Sequence, residues 1–331
     1  MRVLVTGAAG FIGYHVCRQL LGRGDTVFGV DNLTPYYDPQ LKRARLSQLT
    51  DHRSFRFAPL DLADAAATRA ILDAGPFEAI VHLAAQAGVR YSQEAPRTYV
   101  SSNVAGTLNV LEACRQLPQT QLVFASSSSV YGDGASLPVA ESANVTCPVS
   151  LYAATKMAGE LMAYSYVDQY ELAVTALRFF TVYGPWGRPD MAVFKFTVAI
   201  LAGQPVELYA GGVLRRDFTF VEDTVQGILG AIDHPPKGDG GCFRAYNLGR
   251  GAPVTVLDLL SELEAALNRR ALRRNLPPQL GDVNVTFADI RAAERDLGYR
   301  PKTSLSDGIA RFVAWYREYY RAADVPVRQS A

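Results

Sequence analysis

Cysteine and histidine are scarce in this sequence of 331 residues, which contains four of each. The cysteines are widely spaced and form no CxxC pair, so we expect neither a disulfide framework nor a zinc site. The histidines show no metal-ligand spacing, and we predict no metal. We expect His82, within IVHLAA, to be a buried and hydrogen-bonded histidine near the end of a strand. The cysteines are Cys17, Cys114, Cys147 and Cys242.

An excess of charge of either sign is also lacking, because 33 Lys and Arg residues face 32 Asp and Glu residues, a net charge of +1. That balance argues against a general binder of nucleic acids or of membrane surfaces. No apolar run reaches the ~18 residues of a membrane span. The first residues, MRVLVTG, already predict a strand, so we expect no signal peptide and a cytoplasmic location.

Short β-rich segments alternate with longer amphipathic segments through the first 180 residues. This alternation is typical of βαβ units, which build a parallel, doubly wound sheet of the Rossmann type through right-handed crossovers. The predicted strands cover residues 2–6, 25–30, 55–59, 79–83, 122–125 and 172–179, and the predicted helices include residues 11–24, 107–115 and 152–170.

The pattern changes after Tyr183-Gly184-Pro185, where aromatic residues, glycine and proline become denser. We predict a smaller C-terminal α/β lobe for the substrate, with helices near residues 255–268 and 305–321. The predicted division is a nucleotide-binding domain over residues 1–180, mainly a substrate lobe over 181–323 with room for segments that return to the first domain, and a tail over 324–331.

Three glycines, Gly7, Gly10 and Gly13, stand at the junction of the first predicted strand and the first helix. Such a turn gives a pyrophosphate access to the backbone and to the positive end of the helix. The glycines alone are equally typical of any tight βα turn. Asp31 favours the interpretation as a dinucleotide-binding site, because a carboxylate at the tip of the second strand accepts ribose hydroxyls and repels a 2′-phosphate. We therefore predict NAD binding over NADP, since the neighbouring Asn32 and Leu33 add no cation.

Tyr152 and Lys156 are four residues apart on a predicted helix, so they lie on the same face. A tyrosine with a pKa near ~10 is a poor base, but a nearby ammonium and the positive charge of oxidised nicotinamide would lower its pKa. The serine run ASSSSVYG, some twenty residues earlier, supplies a hydroxyl to orient the reacting oxygen. The Tyr–Lys spacing alone is common on helix surfaces. Its combination with the glycine turn and the serine run favours a redox active site.

These motifs carry a family resemblance. GAAGFIG, HLAAQAGVR, SSSSVYG, YAATK and RRDF resemble the nucleotide-sugar branch of the extended short-chain dehydrogenase/reductase superfamily. DNLTPYYDPQLKRARL, FFTVYGPWGRPDMAVFKF and LGDVNVTFADI resemble the UDP-glucuronate 4-epimerases, and the match runs from Met1 to about Tyr319. The resemblance implies an NAD-dependent enzyme that interconverts UDP-glucuronate and UDP-galacturonate. It also suggests a homodimer, for which helices 104–115 and 152–170 are available to pair across a two-fold axis into a four-helix bundle.

The resemblance also implies roles for single residues: Tyr152 is the acid/base, Lys156 holds the nicotinamide ribose, and Ser127 is the catalytic serine. The implied cofactor-binding residues, together with Tyr152 and Lys156, are Gly7, Gly10, Phe11, Ile12, Gly13, Asp31, Asn32, Asp61, Leu62, Leu83, Ala84, Ala85, Gln86, Phe179 and Val182. The implied substrate-binding residues, together with Ser127 and Tyr152, are Arg90, Ser128, Ser129, Thr181, Arg188, Lys195, Phe196, Tyr209, Arg216, Gln279 and Asp282.

Several of these residues also have ordinary structural interpretations. Asp61 is equally typical of a helix cap, Arg216 of a solvated charge pair, and Phe196 of a core residue. The run Lys42-Arg43-Ala44-Arg45 predicts first of all a solvated helix face.

A uronate substrate needs a cation for its carboxylate, and arginine offers a bidentate fork. Arg188 is the preferred candidate, because it follows the sixth predicted strand on the side where doubly wound sheets bind ligands. Arg90 is the alternative. Without the resemblance, Arg188 is equally a loop arginine in solvent or paired with Asp190.

Other enzymes on this scaffold remain as alternatives. Dehydratases and decarboxylases of this branch carry an acidic residue in the serine run, and Ser128 and Ser129 stand here instead, so simple epimerisation is favoured. The remaining alternatives are a UDP-glucuronate decarboxylase, an epimerase of neutral UDP-hexoses and a non-catalytic NAD-binding regulator. A regulator has no need of the intact Ser127, Tyr152 and Lys156.

Overall fold

The computed structural model describes residues 1–73, 75–117, 119–238, 241–278 and 283–322. The predicted tail at 324–331 and two predicted site residues, Gln279 and Asp282, lie outside the described residues. Within them the strands are β1 (Arg2–Thr6), β2 (Thr26–Asp31), β3 (Phe55–Pro59), β4 (Ala79–His82), β5 (Gln121–Ser127), β6 (Ala173–Phe179), β7 (Thr181–Tyr183), β8 (Pro205–Tyr209), β9 (Arg215–Arg216), β10 (Phe218–Phe220), β11 (Cys242–Leu248), β12 (Val254–Thr255) and β13 (Leu272–Leu276).

Helices connect and cover these strands. None of the described helices combines the length and the apolar character that a membrane crossing requires. The α-helices are α1 (Phe11–Gly22), α2 (Pro39–Thr50), α3 (Ala65–Leu72), α4 (Tyr91–Glu94), α5 (Pro96–Tyr99), α6 (Gly106–Gln116), α7 (Leu151–Tyr170), α8 (Ala192–Ala202), α9 (Val221–Asp233), α10 (Val256–Leu267), α11 (Arg291–Leu297) and α12 (Leu305–Ala322).

The main sheet has seven strands in the order β11-β6-β5-β4-β1-β2-β3, and all of its strand pairs are parallel. The chain winds outward from β1 toward β3 and then from β4 toward β11, so the order reverses between β1 and β4. This reversal opens a crevice at the carboxyl ends of the strands, where doubly wound sheets bind ligands. The predicted Rossmann-type fold is confirmed.

Alternation along the central strands fills a core on each face of the sheet. Val3 and Val5 of β1 face one apolar cluster, which includes α1 and the C-terminal helices, whereas Leu4 faces a second cluster with Leu111 of α6 and Ala163 of α7. Because side chains of a strand point alternately to opposite faces, a strand that is buried on both faces needs a continuous apolar run.

The smaller lobe consists of short strand pairs and helices. β7 pairs with β10 and β8 with β13, both parallel, while β9 pairs antiparallel with β12. Helices α10 and α12 confirm the two helices predicted near 255–268 and 305–321. An aromatic cluster in this lobe joins α8 to α12, with Phe194 in contact with Phe312, Trp315 and Tyr316.

Candidate active site

The glycine-rich turn lies between β1 and α1, at the point where the strand order reverses. Gly7 has a φ of +70°, and the Gly10 amide donates to its carbonyl over 2.9 Å. A Cβ on Gly13 would lie 2.1 Å from the Gly7 oxygen, and one on Gly7 would lie 2.8 Å from the Ala84 nitrogen. A side chain therefore fits at neither position. Because Gly10 caps α1 without a side-chain acceptor, the first amides of the helix remain available to an anion.

A cleft of about 700 Å³ opens in front of this turn. Most of the residues implied by the resemblance line it: Gly7, Gly10, Phe11, Ile12, Gly13, Asp31, Asn32, Asp61, Leu62, Leu83, Ala84, Ala85, Gln86, Ser127, Ser128, Ser129, Tyr152, Lys156, Phe179, Thr181, Val182 and Arg188. The glycine cradle, the acidic strand end and the cleft volume fit a dinucleotide such as NAD.

The end of β2 supplies an acidic group to the cleft. Asp31 is only 7% exposed, and its Oδ1 accepts the Leu33 amide over 2.8 Å. Asn32 donates to the Asp61 carboxylate over 3.3 Å, which brings the ends of β2 and β3 together. The two carboxylates therefore border one end of the cleft, as expected for the adenosine side of a dinucleotide.

The prediction of a solvated face for residues 42–45 is wrong for two of its cations. Arg43 is exposed, but Lys42 is 5% exposed and Arg45 is fully buried. The Lys42 ammonium lies 3.6 Å from the Asp31 carboxylate, within the cleft. The polar sequence gives no hint of this burial, because the acceptors that face these side chains belong to other segments of the chain.

Arg45 connects three segments around the cofactor turn. Its guanidinium donates to the carbonyls of Ala9, Trp186 and Gly187 and to the hydroxyl of Tyr37, over distances of 2.7–3.3 Å. Among the described residues it forms no ion pair. One buried cation thus fixes the glycine turn against the loop that precedes Arg188.

Tyr152 and Lys156 lie on the first turns of α7, which begins after Ser150; the Ser150 hydroxyl caps it by accepting the Ala153 amide over 3.1 Å. The Lys156 ammonium donates to the Ala125 carbonyl of β5 over 2.7 Å. Burial lowers the pKa of Lys156 to about 8, and the charge of Glu160 on the same helix opposes that shift. The ammonium is therefore held at the cleft by strand β5.

Burial raises the pKa of Tyr152 above its ordinary value, while the Ser127 hydroxyl and the charge of Arg188 act in the opposite direction. The protein groups alone thus leave the phenol protonated at neutral pH. The positive charge of oxidised nicotinamide would stabilise a phenolate here. We expect Tyr152 to act as a base only with the cofactor bound.

The serine run covers the end of β5 and the turn after it, and Ser127, Ser128 and Ser129 line the cleft. Ser127 donates to the Ser129 hydroxyl over 3.1 Å and accepts the Ser129 amide over 3.2 Å. Behind it, Ser126 and Arg178 bind the buried carboxylate of Glu160, and the Arg178–Glu160 ion pair measures 2.7 Å. Strand β5 and helix α7 are therefore tied together directly beneath the reactive groups.

Arg188 enters the cleft from the loop after β7. Its Nε and Nη2 donate to the two oxygens of Asp190 over 3.0 and 2.5 Å, and Tyr36 donates to the same carboxylate over 3.1 Å. The structural interpretation, a pair with Asp190, therefore holds, yet Arg188 still lines the cleft. The pair uses Nε and Nη2 and fixes the plane of the guanidinium.

Five other implied substrate residues do not line the cleft. The Arg90 guanidinium lies 4.8 Å from the ring centroid of Tyr209, which brings these two together. Phe196 is 8% exposed and belongs to the core, whereas Lys195 is exposed and Arg216 is partly exposed.

Sequence reasoning missed part of the cleft wall. Tyr36 and Tyr37, within TPYY, line the cleft, as do Arg97, Thr98, Ser101 and Ser102. The last two belong to a π-helical segment, Val100–Ala105, which has no strong sequence signature. The only available signal was the TPYY run, which contains two adjacent aromatic residues inside a block typical of the subgroup.

Asn103, on the inner side of the same π-helical segment, bridges two elements of the site. Its amide exchanges hydrogen bonds with the backbone of Gln86 over 2.7 and 3.0 Å and donates to the Thr155 hydroxyl over 3.0 Å. Asn103 is 2% exposed, so it supports the cleft wall from behind. His82 is likewise buried between the hydroxyls of Thr6 and Thr107, as predicted.

The sequence profile of the NAD dependent epimerase/dehydratase family matches residues 3–249. The chain belongs to the NAD-dependent epimerase/dehydratase family. This membership confirms the predicted family resemblance and the NAD cofactor that the glycine turn and Asp31 indicate.

Relatives within the epimerase/dehydratase family cover almost the whole chain. UDP-glucuronate 4-epimerase 3 of Arabidopsis thaliana is 49% identical over 96% of this chain and 77% of its own length. A probable UDP-glucuronate 4-epimerase of Rhizobium meliloti is 43% identical over 99% of this chain and 100% of its own. The crystal structure of UDP-glucuronic acid 4-epimerase from Bacillus cereus, in complex with UDP-glucuronic acid and NAD, is 33% identical, with a TM-score of 0.89 over 97% of this chain and 100% of that one.

Proposed function

We propose that the chain is a UDP-glucuronate 4-epimerase, which interconverts UDP-glucuronate and UDP-galacturonate with a tightly bound NAD. The observation that carries this proposal is the cleft itself, in which Arg188 shares one cavity with Ser127, Tyr152 and Lys156. Ser127, Tyr152 and Lys156 suit the oxidation of a secondary alcohol, and Arg188 suits a substrate that carries a carboxylate. The two relatives and the solved structure described above, all named for this reaction, support it.

In the proposed reaction Tyr152 takes the proton of the C4 hydroxyl while the hydride leaves C4, and it returns a proton to the C4 oxygen at the end. The cofactor, when bound, supplies reversible acceptance of that hydride. Ser127 orients the C4 oxygen, and Lys156 holds the nicotinamide ribose and keeps positive charge beside the phenol. Between the two hydride transfers the transient 4-keto sugar rotates, so that the hydride returns to the other face of C4. Because the hydride returns, the reaction has no net redox change.

A uronate poses a risk in this chemistry, because a ketone at C4 beside the carboxylate at C5 makes a β-keto acid, which readily loses carbon dioxide. We propose that Arg188 holds the carboxylate out of the alignment needed for C–C cleavage. Its plane is already set by the Asp190 pair, which uses Nε and Nη2. The serine run offers hydroxyls and no acid, which disfavours elimination.

We propose that residues 1–180 bind NAD and that residues 181–323 mainly bind the UDP-sugar. On this proposal Thr181 contacts the diphosphate at the border of the two parts, and it lines the cleft. The uridine diphosphate would engage the other residues that the resemblance implies, namely Lys195, Phe196, Tyr209, Arg216, Gln279 and Asp282.

We further propose that the enzyme is a homodimer in the cytoplasm. Helix α7 carries two strongly exposed apolar side chains, Leu161 at 64% and Tyr164 at 62%, and Leu108 of α6 is 39% exposed. A second copy of α6 and α7 would cover these groups. All four cysteines are free thiols, which suits a reducing compartment.

Incubation with UDP-glucuronate, followed by NMR of the sugar signals, tests the proposed activity. We expect UDP-galacturonate to accumulate without added NAD, because the cofactor is recycled. A UDP-pentose as product would instead identify a decarboxylase. Bound NAD without any turnover would favour a regulator.

A further inference from the structure

The ammonium group of Lys42 is a feature of the cofactor cleft that the roles described so far leave unused. Lys42 projects from α2 into the cleft and is only 5% exposed. Its Nζ lies 3.6 Å from the nearest Asp31 oxygen, which is too far for a hydrogen bond, and 5.4 Å from the centroid of the Tyr37 ring. Among the described residues it donates no hydrogen bond. A buried ammonium with three donors needs acceptors, so a ligand is expected to supply them.

The position of this ammonium indicates which part of the ligand it meets. Asp31 ends strand β2, where an acidic side chain accepts the hydroxyls of the adenosine ribose. Lys42 stands beside that carboxylate and faces the same end of the cleft. We propose that Lys42 is a cofactor-binding residue that donates to the adenosine ribose, and that the Asp31–Lys42 pair sets the choice between NAD and NADP.

The two charges act in opposite directions on a 2′-phosphate. Asp31 repels it, whereas a lysine at this position attracts it as a point charge. In the unmodified protein any phosphate oxygen that reached the ammonium would lie close to the carboxylate, only 3.6 Å away, so NAD is preferred. Once the carboxylate is neutralised, Lys42 loses its ion-pair partner and becomes a phosphate anchor. On this proposal the cleft already contains the cation that NADP needs, and the charge of Asp31 alone prevents its use.

This inference rests on the cofactor part of the proposed function and not on the identity of the sugar. Its test is therefore a binding measurement without any sugar nucleotide. The full-length chain, freed of bound nucleotide, is titrated with NAD and with NADP by calorimetry. Loss of the proposed epimerase activity would leave this measurement unaffected, so the two proposals fail separately.

We expect Asp31→Asn to raise the affinity for NADP relative to NAD by about ten- to a hundredfold, the range of one charge-assisted contact. Adding Lys42→Met should abolish that gain, and adding Lys42→Arg should keep it. Arg43→Met is the matched control, because it removes the same charge from the exposed neighbour on the same helix. It should leave the gain intact.

Equal NADP affinities for Asp31→Asn with either Lys42→Met or Arg43→Met would overturn the proposal, because Lys42 would then act only through net charge. Circular dichroism and thermal melting establish that each variant is folded. If Lys42→Met does not fold, Lys42→Gln, which keeps a polar head without charge, is measured in its place. A gain in NADP affinity that survives this neutral substitution would contradict the proposal equally.

Discussion

The two ends of the cleft are built by different means. The nucleotide end is made of backbone: Gly7 and Gly13 act through the side chains they lack, and the helix start supplies free amides. The end that we propose for the sugar is made of side chains from separate elements, with Tyr152 on α7 and Arg188 on a distant loop held by Asp190. A backbone site is recognisable in one short stretch of sequence. A side-chain site depends on contacts between distant segments.

The strongest test of this contrast places a methyl group in the backbone end. A Cβ on Gly13 would lie 2.1 Å from the Gly7 oxygen, so Gly13→Ala should abolish nucleotide binding. Gly22, on the same helix, has nothing within 4 Å of its Cβ position. Gly22→Ala should keep the nucleotide and stabilise the fold by about 0.5–1 kcal/mol. The nucleotide released on denaturation and the melting temperature report both results; retained NAD in Gly13→Ala would contradict the backbone argument.

At the sugar end, Tyr152→Phe removes only the titrating oxygen. General acid–base groups contribute ~100- to 10,000-fold, and we expect a loss of that size in turnover of UDP-glucuronate. Nucleotide content should stay near that of the unmodified protein, since the cradle is untouched. A variant that kept more than about a tenth of the activity would exclude Tyr152 as the base.

A smaller effect on turnover is expected when the Arg188 cation is removed. Arg188→Ala should weaken turnover of UDP-glucuronate by about 10- to 150-fold, equivalent to one charge-assisted contact. Any turnover of neutral UDP-glucose should fall much less, and some decarboxylated product should appear because the carboxylate turns more freely. Arg43→Ala, on the exposed face of α2, serves as control and should change neither rate. If Arg188→Ala keeps the preference for the uronate, Arg90 becomes the candidate for binding the substrate carboxylate.

The smallest expected effect lies in the pH profile. Lys156 has a pKa of about 8, below the ordinary value for lysine, so its charge is present below that pH and is lost above it. Turnover should therefore fall by about half near pH 8 and further at higher pH. The profile of Lys156→Arg, whose guanidinium stays charged, should lack this decline even at its lower overall rate. An identical decline in that variant would assign it to another group.

The sequence was sufficient to predict most strands of the main sheet and the glycine turn. Strands β1 and β3 have the bounds predicted for them, because short apolar runs between turn residues are local signals. The glycine turn and the Tyr–Lys pair also lie where their spacing places them, in one cleft.

The features that the sequence could not predict depend on contacts between residues far apart in the chain. Lys42 and Arg45 stand in a polar run that predicts exposure, yet Arg45 is buried because carbonyls of Ala9, Trp186 and Gly187 surround it. Two of those carbonyls come from residues about 140 positions away. No local pattern encodes such a partner. The roles of the substrate-lobe residues remain predictions for the same reason, since their positions depend on how distant loops pack.

Strand β11 closes one edge of the main sheet, although it lies more than sixty residues beyond β6 in the chain. Its seven residues pair with β6 one for one. A fragment that ended at residue 180 would leave the whole edge of β6 unpaired, and such edges associate with other chains. During synthesis, the nucleotide-binding sheet therefore cannot be completed until residue 248 has left the ribosome. The nascent chain must be protected from aggregation while residues 181–248 are synthesised.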